Sequence, residues 1–269
     1  MTENRTELSE SPILLDAPAF FGLQAADYEA QFRVAHRRAY DDLAWEYTRS
    51  RLPSRPGTVV DVGCGVGRWA GRLVDLGHQV IGIEPSTEMA DVAEGRGFGN
   101  NFKVVRASVD EAKLPDGTAD AVVAMGSLQY APTPSRSIAR MATWLRPGGW
   151  MLILGDSLLA LTLELLGTGR IEEAVERARS LTAEYRSANV AVRHWLFTAD
   201  HLRQWLTQAG LVDVEVCGLL VSWSAFGRDH VTSQLAHDPE TICGLDRRLA
   251  GLSPLADAGK QLLGMGRLP

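Results

Sequence analysis

The chain has little cysteine, no long apolar run and no surplus of positive charge, and each shortage removes a class of protein. Cys64, Cys217 and Cys243 are the only cysteines in 269 residues. Odd in number and scattered, they offer neither a disulfide framework nor the close pairs of a structural zinc site. A reduced, cytoplasmic setting and no metal are the expectation. No segment reaches the ~20 uninterrupted apolar residues of a bilayer span; the nearest, 150–166, is broken by Gly155, Asp156 and Glu164. The opening MTENRTELSESP lacks the basic start and apolar stretch of a secretory signal, so neither export nor a membrane partner is expected. The net charge of -6 argues against a broad grip on a phosphate backbone, which leaves nucleic acid a minority reading.

What is present is enough apolar material, 45% of residues, to fill one large core. Apolar residues recur at helical spacing from about 27 to 51, and Pro53, Pro56 and Gly57 end that pattern. Strand and helix patterns then alternate. Strands are predicted over 58–62, 79–83, 103–107, 119–125 and 150–155, with helices over 68–76, 87–94 and 134–145 between them. This rhythm means a parallel sheet with helices on both faces. It breaks after Gly155, where 157–185 reads as a long helical stretch. It resumes with a helix over 198–209, capped by Thr198 and closed by Gly210, and strands over 211–222 and 260–266. Residues 239–252 read as helical, and 1–17 as a loosely held tail. The expected organisation is a tail and cap helices at 1–52, a core at 53–156 and 198–269, and an inserted helical lid at 157–197.

The sharpest signal is VVDVGCGVGRWA, residues 59–70, a hydrophobic run opening directly into Gly63, Gly65 and Gly67. Glycines at the carboxyl end of a strand let the backbone pass close to a ligand where any Cβ would collide, and helix N–H groups then point into the same crevice. The spacing G-C-G-V-G differs from the G-x-G-x-x-G of a dinucleotide fold, so a nicotinamide enzyme is only an alternative. Glu84 ends the next strand about 20 residues beyond Gly63, the position from which an acid accepts hydrogen bonds from ribose hydroxyls. Asp61 sits inside the first strand, where an acid is costly to bury unless it receives donors such as a ligand ammonium. Together these point to a ligand with an adenosine end and an amino-acid end.

VVDVGCGVGRWA, IGIEPSTEMADVA, RASVDEAKLPDGTADAVVAMGSLQYAP and LRPGGWMLI, in this order, resemble the class I S-adenosylmethionine-dependent methyltransferases, particularly the type 11 group that includes the ubiquinone and menaquinone methyltransferases. The resemblance covers about residues 40–156 closely and 198–222 more loosely. It implies a Rossmann-like, doubly wound, mostly parallel seven-stranded sheet and S-adenosylmethionine as cofactor. It also implies that Asp61, Gly63, Gly65 and Gly67 hold the methionine portion, with Cys64 in the same loop filling space beneath it. Glu84 would bind the ribose, Pro85, Met89, Ser108 and Val109 would border the adenine, and Met125 and Gly126 would line the pocket. Where group members often carry an acid this chain has Ala107-Ser108, so the adenine amino group falls to Ser108 or Asp110.

A sulfonium already carries an activated methyl group, so the protein mainly orients and desolvates, and an oxygen nucleophile also profits from a base. Three residues stand at the crevice edge as catalytic candidates, each with an ordinary structural reading beside the chemical one. His194 reads as a base or a hydrogen-bonded structural residue, Asp156 as a base or the cap of the following helix, and Tyr130 as a cation-π partner of the sulfonium or a core aromatic. Aromatics at Phe20, Phe21, Tyr28, Phe32, Trp195, Phe197, Trp223 and Phe226 suit a lid over a small, largely apolar substrate. His36, Arg37 and Arg38 read as a solvated helix face or a site for a carboxylate or phosphate. The leading expectation is methylation of O, N or C of a natural-product metabolite. The alternatives are a tRNA wobble-uridine methyltransferase, with Arg247, Arg248, Lys260 and Arg267 on phosphates, and a non-catalytic cofactor-binding protein.

Overall fold

A computed structural model describes residues 12–269. Its centre is a seven-stranded sheet made almost entirely by the predicted strands. The first half runs β1 (Ile13–Leu15), α1 (Ala17–Gly22), a 3-10 segment Ala25–Arg33, α2 (Ala35–Arg49), β2 (Thr58–Val62), α3 (Arg68–Asp75), β3 (Gln79–Ile83), α4 (Thr87–Glu94), β4 (Phe102–Val105), β5 (Ala119–Met125), α5 (Pro134–Thr143) and β6 (Leu145–Asp156). The second half runs α6 (Leu158–Gly167), α7 (Ile171–Ser180), β7 (Thr182–Ser187), β8 (Val190–Trp195), α8 (Ala199–Gln208), β9 (Val212–Leu219), α9 (Ser222–Phe226), α10 (Arg228–His237), α11 (Pro239–Leu249) and β10 (Gln261–Arg267). The strand order is β4-β3-β2-β5-β6-β10-β9, with β10 antiparallel to both its neighbours and the other pairs parallel.

Both faces of the sheet are buried, and the period-2 alternation of strand side chains divides them. Val60, Val62, Ile81, Ile83, Val122, Ala124, Met151 and Ile153 face one way, towards Ile138, Met141, Leu202 and Leu206 of α5 and α8. Val59, Val80, Ala121, Val123, Leu152 and Leu154 face the other, towards Leu43, Trp69, Leu73 and Ile242 of α2, α3 and α11. The Thr198 hydroxyl accepts from the His201 amide at 3.1 Å, and Gly210 follows α8 at φ 84°, as the cap and stop signals predict.

The segment after β6 departs from the helical expectation. Its helices end at Ser180, Leu181 takes a left-handed φ of 56°, and β7 and β8 form an antiparallel hairpin turning near Ala188, φ 50°. Thr182, Val190 and Val192 supply the β-branched side chains that favour extended backbone. The tail reading is also corrected within the described residues. β1 adds to β8 as a parallel third strand, and Asp16 caps α1 by accepting from the Ala19 amide at 2.9 Å. The remainder of the expected tail, residues 1–11, lies outside the described residues. No described helix is long and apolar enough to cross a membrane.

Candidate active site

The carboxyl ends of β2, β3, β5 and β6 open into two adjoining cavities, one of about 340 Å³ and one of about 990 Å³. Phe21, Tyr28, Met125, Gly126 and Tyr130 border both. The smaller cavity collects Gly63, Gly65, Glu84, Pro85, Met89, Ser108 and Val109, together with Met125 and Gly126, from four separate stretches of sequence. Asp16, Ala17 and Pro18 close it from outside.

The glycines act in different ways. Gly65 has φ 54°, and a Cβ there would meet no protein atom within 4 Å, projecting into the space reserved for ligand. At Gly63, φ 66°, a Cβ would stand 2.2 Å from that of Ser127, so glycine is required for packing as well as backbone conformation. Gly67 takes φ 79° at the start of α3, away from the cavity wall. Cys64 also lies off the wall: its side chain is buried beneath Gly82, whose Cβ would approach Sγ to 2.6 Å. Its role is packing under the loop, and burial raises its thiol pKa well above the ordinary value.

Glu84 accepts the Gly65 amide on Oε2 and the Ser86 amide on Oε1, each at 2.9 Å. One acceptor site stays free on each oxygen, which matches a pair of ribose hydroxyls. Burial raises its pKa, opposed by those two amides. Asp61 is buried, and its Oδ2 has no hydrogen-bond partner among the described residues. Burial, with the nearby Glu84 charge, pushes its pKa up to about 7 against the lowering effect of Arg68 and the Ala70 amide. Asp61 is not on the wall of either cavity but stands behind the glycine loop, so a ligand ammonium would reach its unsatisfied carboxylate through a bridging water or a shift of the loop. At the adenine end, Ser108 Oγ donates to Glu111 at 2.7 Å, while Asp110 accepts from Ser137 on Oδ1 alone; both line the cavity and keep acceptor capacity.

The three catalytic candidates, chosen from separate places in the sequence, meet in the larger cavity. His194 Nε2 lies 3.3 Å from Asp156 Oδ2, close but not aligned, so both ring nitrogens are buried without a hydrogen-bond partner among the described residues, and the Tyr130 ring centroid is 5.5 Å from that of His194. The parallel bridge Ser157↔Phe197 joins the two ends of the inserted segment and brings β6 and β8 to this spot. Ser157, not Asp156, caps α6, accepting from the Ala160 amide at 3.2 Å. Asp156 is instead gripped by Gln129, which donates from Nε2 at 3.0 Å and accepts the Asp156 amide at 2.9 Å, and by Gln261. Burial works to raise the Asp156 carboxyl, but the adjacent His194 imidazole, the Lys260 charge and the Gln129 hydrogen bond outweigh it and hold the group well below the usual carboxylate range. The Tyr130 hydroxyl is pushed far up, first by burial and then by the Asp156 charge.

Several site residues escape the sequence reading. Gln129 and Gln261 hold the acid from positions 27 and 105 residues away in the chain, separations no local pattern reveals. Asp41 anchors α2 to α3 by accepting from Trp69 Nε1 at 3.0 Å and from Arg68, whose guanidinium stacks 3.7 Å from the Phe32 ring centroid. Of the aromatics expected in the lid, Phe21, Tyr28, Phe32, Trp223 and Phe226 line the larger cavity. Phe20 and Phe197 are core residues, and Trp195 is on the surface. The wall is also more charged than expected, with Arg37, Arg68, Asp156 and Lys260 facing one space.

A doubly wound sheet with a glycine turn, and an acid ending the neighbouring strand at the same carboxyl edge, is the arrangement of a nucleotide-cofactor fold. The chain belongs to the methyltransferase domain family, whose pattern matches residues 34–216. It is similar to the ubiquinone biosynthesis O-methyltransferase of Burkholderia pseudomallei, 28% identical over 199 residues that cover 72% of this chain and 80% of the relative. Over a shorter stretch, 46% of this chain and 54% of the relative, it is 34% identical to the enzyme of the same name from Burkholderia multivorans. In fold it resembles an S-adenosylmethionine-dependent methyltransferase from Thermotoga maritima described as a possible histamine N-methyltransferase, with TM-score 0.59, 20% identity, and coverage of 93% of this chain and 99% of that one. The protein is thus an S-adenosylmethionine-dependent methyltransferase, and the nicotinamide alternative falls away.

Proposed function

We propose that this methyltransferase acts on a hydroxyl oxygen of a small metabolite with an aromatic or apolar body, in cytoplasmic natural-product biosynthesis, and that His194 is its general base. The carrying observation is the His194–Asp156 pair at 3.3 Å, in a cavity that shares Met125, Gly126 and Tyr130 with the cofactor cavity. Bound S-adenosylmethionine supplies the activated methyl group. Asp61 would hold its ammonium, Glu84 its ribose, and Ser108 or Asp110 its adenine amino group. Asp156, fixed by two glutamines and kept ionised, would receive Nε2–H once the imidazole turns into line, leaving the other ring nitrogen to take the hydroxyl proton as the oxygen is alkylated. Phe21, Tyr28 and Tyr130 would keep water from the junction between the cavities.

A nucleic-acid substrate has less support. Arg247 is paired with Glu46 and Glu240, Arg267 with Asp213, and Lys260 faces the larger cavity. A catalytic pair beside the cofactor cavity likewise favours turnover over mere cofactor binding. The test is formation of S-adenosylhomocysteine with a panel of phenols and alcohols, with aryl amines and total tRNA as the competing arms. Turnover of the amines alone, or of tRNA alone, would overturn the reading.

A further inference from the structure

Resting on the methyltransferase reading, we propose that the substrate is an organic acid, whose carboxylate or phosphate is held by Lys260 and Arg37 in the larger cavity. The cations lining this cavity divide into two groups. Arg68 is paired with Asp41, Arg170 and Arg177 with Glu173, and Arg228 with Glu164. Lys260 and Arg37 have no carboxylate oxygen within 4.0 Å among the described residues, and Arg37 Nη1 donates only to the neutral Gln31 side-chain oxygen. Lys260 Nζ sits 5.1 Å from the Trp223 ring centroid, and His36 packs on the same indole at 4.8 Å. The Arg37 guanidinium lies 5.7 Å from the Tyr185 ring centroid. Asp156 lies within electrostatic reach of Lys260, but its two oxygens are engaged by Gln129 and Gln261.

The response of His36 shows how positive this corner is. Burial, followed by the charges of Lys260, Arg37 and Arg228, lowers its pKa to about 4, so it is neutral at physiological pH and adds a polar contact without more charge. Two partly buried cations beside a neutral imidazole are costly to maintain without a counter-ion, and an incoming anion removes that cost. The aromatic walls suit the body of the acid, and His194 and Tyr130 lie towards the cofactor. The acidic group would sit against Lys260 and Arg37, with the methylated hydroxyl turned to His194.

The test uses the full chain saturated with S-adenosylhomocysteine. Its thermal unfolding is followed during titration with 4-hydroxybenzoate, phenyl phosphate and neutral 4-hydroxybenzamide. At least one of the two anions should give a saturable rise in Tm that the amide does not, and the stronger of the two identifies the acid class. Lys260→Met and Arg37→Met should each weaken that response about 10- to 100-fold, whereas Lys260→Arg and Arg37→Lys should keep most of it. An amide response equal to that of the acids, no response to either anion, or an unchanged response in both methionine variants overturns the proposal. Failure of the wild-type chain to bind S-adenosylhomocysteine would instead strike the methyltransferase reading itself.

Discussion

Asp61 makes cofactor affinity depend on pH in a direction that can be worked out in advance. In the ligand-free protein its carboxyl is buried, lacks a partner on Oδ2 and has a pKa of about 7. A folded-state pKa above the unfolded value of 3.8 means that the fold binds this proton more tightly than the unfolded chain. That contribution to stability is full below about pH 4 and is lost as pH rises through 7, at a cost of about 4 kcal/mol by the alkaline end. A cofactor ammonium at Asp61 reverses the balance, because it stabilises only the ionised carboxylate. Binding near pH 6 therefore expels close to one proton, and Kd for S-adenosylhomocysteine rises about tenfold between pH 8 and pH 6.

Isothermal titration calorimetry at pH 6 in two buffers of different ionisation enthalpy reads both quantities. Asp61→Asn should flatten the pH dependence at a uniformly weaker affinity. It should also raise the Tm of the ligand-free protein at pH 8, since it replaces a buried charge by a neutral amide. A Kd constant from pH 8 to pH 5.5, with the same heat in both buffers, would refute the placement of the ammonium at Asp61.

Three further outcomes are expected. Glu84→Ala removes two charge-assisted ribose contacts and should weaken S-adenosylhomocysteine at least about 100-fold; unchanged affinity by calorimetry would rule out the ribose assignment. His194→Ala should lower kcat by about 10²–10⁴ while leaving cofactor Kd alone, and full activity would eliminate the base. Gly218→Ala would drive a Cβ to 2.3 Å from the Ala256 carbonyl oxygen. That backbone clash should cost about 1–3 kcal/mol and lower Tm by roughly 2–10 °C in a thermal melt.

How much of this was legible in the sequence depended on whether the signal was local. β5 and the end of β6, AVVAM and WMLIL, are buried on both faces and announce themselves as short apolar runs; β2 announces itself by running straight into glycines at positive φ. The hairpin of β7 and β8 follows the charged helix IEEAVERARS without proline or glycine to mark the change, so its six-residue strands read as more helix. β1 was beyond reach for a different reason. Three residues become a strand only because Ile13 pairs with Val190, far along the chain, and nothing in Ile-Leu-Leu encodes that partner.

The same distinction separates the two halves of the site. Cofactor residues lie on loops whose spacing is set by the fold, so their positions follow once the glycine turn and Glu84 are found. The acceptor side is assembled by tertiary contact. Asp156 and His194 lie at opposite ends of the segment between β6 and α8, and the Ser157↔Phe197 bridge converts that sequence separation into a 3.3 Å approach. Lys260 precedes β10, whose antiparallel register sets Gln261 opposite Asp156. The same strand start thus delivers one hydrogen bond to the acid and one cation to the cavity. If Lys260 selects the substrate and His194 is the base, as proposed, a single backbone register couples the two. A slip of one residue in β10 would turn Gln261 from Asp156 and move Lys260 out of the cavity together.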